Sequence, residues 1–418
     1  MHPTPSVTLR RSCRALLMLL VGATAACGGE SATTDAIVVR DSSGVTIVEN
    51  ALDKLDATCS IAATPSLSIG EEDGEEAYLL TRSNGVRRLA DGRIVVVMQA
   101  VKEVRWFGAD GRFIRASGRD GSGPGEFTNP YTVFRLPGDT IYVGNSRPFF
   151  FTVFDSDGNY VRRVTPEPVM GNPARSFAIL DDGRLMLGVN EEDGVRGPGM
   201  NAERRRIQLH NRDGVVSDTL RTMEQGRIGS IIEGSNFRVM PMFESYSHSA
   251  ALDSIVVLGH GAERELQVWT GNPTMRLSRV IRWTGGSRAV TKADVDAERA
   301  FEKARYEKYN AQLRGMMKDG YEANVHPNRP IADVMPAMNG IRLGTDGRIW
   351  IREFQVQSDS SPRRWVAFNR DGRFDCRLST PKFVEFHEYG ADYLLVMEQD
   401  TLEVERIRQY PLKKNAAP

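Results

Sequence analysis

One short pattern recurs six times along this chain: a leucine, a tight polar turn, then a hydrophobic strand. It reads LADGRIVVV from Leu89, LPGDTIYVG from Leu136, LDDGRLMLG from Leu180, LDSIVVLG from Leu252 and LGTDGRIWI from Leu343. The sixth and weakest copy is YGADYLLVM from Tyr389. A second pattern lies between the copies, a strand, a turn and another strand: VRWFGADGRFIRAS, FTVFDSDGNYVRRV, RIQLHNRDGVVSDTL, LQVWTGNPTMRLSRV and WVAFNRDGRFDCRL. Asp-Gly between alternating apolar runs marks a hairpin, because glycine accepts the positive φ of the turn. Each repeat therefore holds four strands, spaced about 45 residues apart, the period of a propeller blade. The fold expected is all-β, a six-bladed β-propeller of four-stranded blades over residues 41–412, with a tail at 413–418.

The sixth repeat runs out of chain after TLEVERIRQYPL and lacks its outer strand. SLSIGEEDG runs parallel to IRASGRDG, with Gly70 matching Gly118, so the segment near Pro65–Gly70 is expected to supply that strand and close the ring. Closure removes the sheet edges that invite aggregation. GVTIVEN, from Gly44 to Asn50, is a further candidate edge strand.

GSGPGEF, from Gly121 to Phe127, has the glycine density of a phosphate loop. Such a loop must lead into a helix whose amides face the phosphate. Here a strand follows and no Gly-Lys-Ser/Thr occurs. The stretch reads as a sharp inter-blade crossing with Phe127 plugged between blades. Together with FDSDGNYV, from Phe154 to Val161, it resembles the six-bladed propellers related to NHL repeats, particularly bacterial lipoprotein versions. The resemblance covers roughly residues 65–410 and implies a fold, not a chemistry.

At the N-terminus, Arg10, Arg11 and Arg14 precede ALLMLLVGATAA, an apolar run short for a membrane span and followed by small residues. Residues 1–26 read as a signal peptide. Cys27 follows TAA, which resembles a bacterial lipoprotein signal, although Thr24 stands where leucine is usual. The resemblance implies acylation at Cys27; the other reading is simple secretion. Residues 27–40 read as a flexible tether, and the outer membrane is the preferred location because Gly28, not aspartate, follows the cysteine. In an oxidising compartment Cys59 and Cys376 are left as a pair, either joined or two buried thiols.

Lysine plus arginine equals aspartate plus glutamate at 54 each, so no basic excess recruits nucleic acid. The membrane is engaged only through the anchor, and a closed ring needs no second copy, so a monomer is expected.

In a four-stranded blade the hairpin turns share one face. The long connections share the other, including the insertion 284–337. Binding belongs to such loops on a rigid scaffold, so the channel mouth on that face is the expected site. Arg82, Asn84, Tyr131, Arg175, His248 and Asn339 stand near the starts of inner strands and suit an anionic or sugar-like ligand. The insertion carries one expected helix, capped by Thr291 and Asp294 and ending at Gly320. Its apolar stripe is Ala297, Phe301, Ala304, Leu313 and Met317, and its role either a lid or docking helix or a decoration on the rim.

The histidines of the mature chain are scattered, with no HExxH and no pair at metal spacing, so no metal or cofactor is expected. DSDGN at Asp155–Asn159 lacks the later acids of a calcium loop and reads as a plain turn. Two functions follow. The first is a non-catalytic propeller of the bacterial cell envelope, binding a small molecule, glycan or envelope protein at the channel mouth. The second is a propeller hydrolase or lyase with a metal on the axis.

Overall fold

The computed structural model describes residues 35–167, 176–191, 199–231, 238–382 and 384–415. They form six sheets in a ring, each a blade built from consecutive strands. Blade 1 comprises Ser83–Arg88, Ile94–Met98, Glu103–Phe107 and Phe113–Ser117. The first strands of blades 2 to 6 are Pro130–Leu136, Ser176–Ile179, Ser247–Leu252, Met338–Leu343 and Glu385–Tyr389. These first strands line the axis, as the shared cavity described below shows.

The core lies between blades, where β-branched and aromatic side chains from facing sheets meet. The second strand of blade 1, Ile-Val-Val-Val-Met, is wholly buried, as expected of a strand covered on both faces. Trp106, Phe127 and Phe154 pack between blades 1 and 2 with Leu89, Val133 and Ile141. Phe127 is thus the expected plug, and a Cβ on Gly118 would lie 2.5 Å from its ring. Burying such a phenyl group stabilises by about 2–3 kcal/mol.

Four N-terminal strands join the ring, and two of them close it. Strands β1 (Ile37–Ser42) and β2 (Val45–Asn50) form a hairpin whose β2 pairs in parallel with the outer strand of blade 4. Strands β3 (Cys59–Ile61) and β4 (Leu67–Ile69) pair antiparallel with Glu405–Lys414, completing blade 6. The buried Asn50 amide donates to the carbonyls of Arg282 and Gly372 and its oxygen accepts from Phe374 N, which knits blade 4 to blade 5. A disulfide joins Cys59 to Cys376 across 317 residues, tying β3 to the outer strand of blade 5. Two expected boundaries move: β1 begins inside the stretch read as tether, and the last strand runs to Lys414, inside the stretch read as tail. Cys27 and the signal peptide lie outside the described residues.

The insertion holds two helices, not one. Helix α1 (Lys292–Tyr309) carries the expected capping box between Thr291 and Asp294, and helix α2 (Gly315–Val325) runs through Gly320. The chain breaks at 310–314 because Leu313 turns inward to bury itself. The expected apolar stripe holds only at Leu313: Phe301 and Met317 are exposed, while Glu298 and Glu302 are the buried residues of α1. The cause is the polar partner surface. Glu298 accepts from the backbone N and Oγ of Ser358, in the loop between the second and third strands of blade 5.

Candidate functional site

Six inner strands converge on one axial cavity of about 720 Å³. Its wall is best followed from the recurring leucine position that ends each inner strand. Two residues before it stand Arg87, Phe134, Ala178, Ala250, Ile341 and His387. One residue before it, Arg135, Ile179, Ala251, Arg342 and Glu388 also line the cavity. Blades 5, 6, 1 and 2 thus supply charge and aromatic groups, whereas blades 3 and 4 supply small or aliphatic side chains. The small side chains leave the space.

The charged half has an unusual balance. Arg87 donates to the carbonyls of Val86 and His387, and Arg342 to the carbonyl of Ile341. Arg352, on the second strand of blade 5, donates to the Asn339 carbonyl and its side-chain oxygen. None of these three guanidiniums has a carboxylate within ion-pair distance among the described residues, whereas Arg135, on the same ring, pairs with Asp139. Burial, then the neighbouring Arg363 and Arg342, pull Arg352 down to about 10. It remains a cation at neutral pH. Burial likewise lowers Arg87, with Glu388 opposing.

Neutral donors accompany the cations. Burial, then Arg87 and Arg342, hold His387 down to about 3. Burial, then Arg352 and His260, hold His248 down to about 4. Both imidazoles are therefore uncharged at neutral pH. The buried Tyr389 hydroxyl, His387 Nε2 and Arg352 Nε have no hydrogen-bond partner among the described residues. Buried polar groups are ordinarily satisfied, and these three atoms are exceptions beside the channel. Glu388, the acid of this ring, is engaged: it accepts from the Tyr393 hydroxyl and Arg88 N.

The cavity reaches the opposite end of the channel from the mouth expected. Its lining ends on the turns after the inner strands, at Ala90, Pro137, Gly138, Asp139, Asp253 and Thr345. Of the sequence candidates, Arg82, Asn84, Tyr131, His248 and Asn339 sit at the starts of those strands, on the loop side, and none lines the cavity. Arg175 lies outside the described residues. His248 and Asn339 nevertheless neighbour Arg352, whereas Arg82 gives its backbone N–H to Glu405. Burial raises the Tyr131 phenol.

Helices α1 and α2 belong to the loop side. Their segment pairs Ile331 with Met242 ahead of blade 4, and Phe243 meets Phe354 of blade 5 at 6.4 Å between ring centres. No residue of 284–337 borders the axial cavity.

Sequence reasoning passed over Arg87, Arg135, Arg342 and His387 because it looked at strand starts. The signal was present: the position just before the recurring leucine is arginine in blades 1, 2 and 5. The DSDGN turn is closed on itself, with Asp155 accepting from Asp157 N and Asn159 N. Among the described residues, one group of histidine, cysteine or carboxylate atoms is close enough to hold a metal: Cys59, Asp375 and Cys376. Its two sulfurs are bonded to each other.

No protein-family model matches the chain, and no curated protein matches it. Solved structures do. A Bacteroides fragilis protein whose name calls it exported is 10% identical, with 85% of this chain and 99% of that one covered at a TM-score of 0.47. A member of the DUF4221 family from Bacteroides vulgatus is 11% identical, with 86% and 99% covered at 0.47. A gluconolactonase from Xanthomonas campestris is 9% identical, with 84% and 100% covered at 0.39. At these identities the likeness concerns the path of the chain alone. The chain is an all-β propeller of six blades with a helical insertion.

Proposed function

We propose that this chain is a non-catalytic binding propeller of the bacterial cell envelope that takes a small anionic molecule in its axial channel. One observation carries the reading: Arg87 and Arg342 line the cavity, Arg352 stands on the next strand, and none of the three has a carboxylate within ion-pair distance among the described residues. Cations gathered in a partly desolvated channel repel one another, and a bound anion relieves that repulsion. His387, uncharged at neutral pH, and Tyr389 line the same cavity without adding an acid. Envelope location is part of the proposal. The Cys59–Cys376 disulfide suits an oxidising compartment, and the N-terminal sequence suits export with acylation at Cys27, the outer membrane being preferred.

Thermal unfolding in the presence of acetate, glutarate or inorganic phosphate tests this. At least one is expected to raise Tm in a saturable way that Arg342→Gln abolishes, because a ligand that binds only the folded state stabilises it. If no anion shifts Tm beyond a chloride control of equal ionic strength, the reading fails.

A further inference from the structure

The cavity is electrically polar along its length. Arg87 and Arg342 lie within the inner strands, three and two residues before the turn positions occupied by Asp181 on blade 3 and Asp253 on blade 4. At the rise of a strand that separation is about 7–10 Å. Asp181 N donates to the Asp253 carbonyl at 2.8 Å, so the two turns touch. Neither carboxylate has an ion-pair partner within 4 Å among the described residues, while the third mouth acid, Asp139, is held by Ala90 N and Arg135. Asp253 lines the cavity. Partial burial, then Asp181, hold its carboxyl above the usual range, with Arg370 and Arg135 opposing.

Arg87 stands across the axis from Asp253, and Arg342 comes from blade 5, next to blade 4. Blade 4 faces blade 1 across a sixfold ring, and below its acid it presents Ser249, Ala250 and Ala251. A ligand resting on that small-residue wall meets Arg87 across the axis, Arg342 from the adjacent blade and the Asp253 carboxylate above, with exposed Asp181 just outside the cavity lining. Tyr389 lines the same cavity, its ring packed against Trp350 and Trp365.

We infer that the ligand is zwitterionic, with its anionic group inward at Arg87 and Arg342 and its cationic group outward at Asp181 and Asp253. The inference rests on the anion-binding reading above and adds the cationic end and the direction. An ω-amino carboxylate of a few carbons has the length and charge order required.

Calorimetric titration of the full mature chain with three probes of equal length tests it: pentanoate, glutarate and 5-aminopentanoate. The expected order places 5-aminopentanoate about tenfold tighter than pentanoate, and glutarate weakest, since its second carboxylate meets the acids. Asp181→Asn with Asp253→Asn should bring 5-aminopentanoate to the level of pentanoate and leave pentanoate unchanged. Asparagine suits both turns, including the left-handed φ of 53° at Asp253, and an unchanged Tm confirms folding. If glutarate or pentanoate binds as tightly as 5-aminopentanoate, the zwitterion inference falls and anion binding stands. If none binds, or Arg342→Gln leaves all three affinities unchanged, both fall.

Discussion

Replacing Cys59 and Cys376 together by alanine asks how much the ring depends on its covalent tie. The bond links residues 317 apart, and the chain-entropy relation for a loop of that length gives about 5–6 kcal/mol at 25 °C. Measured effects of native disulfides run nearer 2–5 kcal/mol, and the noncovalent closure survives the substitution. Strands β3 and β4 keep their ladders with Glu405–Lys414, and Asn50 keeps its three hydrogen bonds. The two sulfurs are buried beside Trp350, Trp365 and Leu378, so alanine also leaves a small void. A net loss of about 3–5 kcal/mol is expected. Urea unfolding followed by tryptophan fluorescence measures it, with wild type under reducing conditions as a second route to the open chain. Both should lower the midpoint, and dithiothreitol should leave the double variant unmoved. A loss under about 1 kcal/mol would refute the view that β3 closes a ring whose ends otherwise separate on unfolding.

Acid should destabilise the fold through its histidines. His387 and His248 stay neutral in the folded chain until about pH 3 and pH 4, so the unfolded chain gains protons first as pH falls through 6.5. Stability present at pH 8 is therefore lost on acidification, by about 2 kcal/mol per histidine at pH 5. His387→Asn should flatten the stability profile between pH 8 and pH 5 by its share; an unaltered slope would show that this imidazole is not shielded. Gly118→Ala places a Cβ 2.5 Å from the Phe127 ring at a φ of 86°, and should cost about 2–4 kcal/mol in denaturant unfolding. Gly138→Ala, at a φ of 75° with nothing within 4 Å, isolates the backbone strain and should cost about 1 kcal/mol; equal losses at the two positions would remove Phe127 from its role as plug.

Much of the architecture could be read from the chain because local chemistry and global topology agree. The Asp-Gly turns fixed the hairpins, the recurring leucine fixed the period, and the missing strand at the C-terminus called for one from the N-terminus. What escaped depended on partners distant in sequence. α1 buries Glu298 because Ser358 offers two donors, which helical periodicity cannot show. β2 joins blade 4 in parallel through contacts more than two hundred residues away. The candidate binding residues were missed for a geometric reason: the axial cavity is lined by the ends of the inner strands and the turns after them, not by their starts. An arginine there looks like any other strand arginine until the absence of a carboxylate partner becomes visible in three dimensions.

The central claim, that unpaired axial guanidiniums hold an anion, is met most directly by calorimetric stoichiometry. Acetate or pentanoate titrated into the mature wild type should bind one molecule per chain. Arg87→Gln and Arg342→Gln should each weaken that binding at least tenfold at unchanged Tm, with affinity falling as salt rises. Binding at several equivalent sites, or an affinity indifferent to both substitutions, would contradict the account.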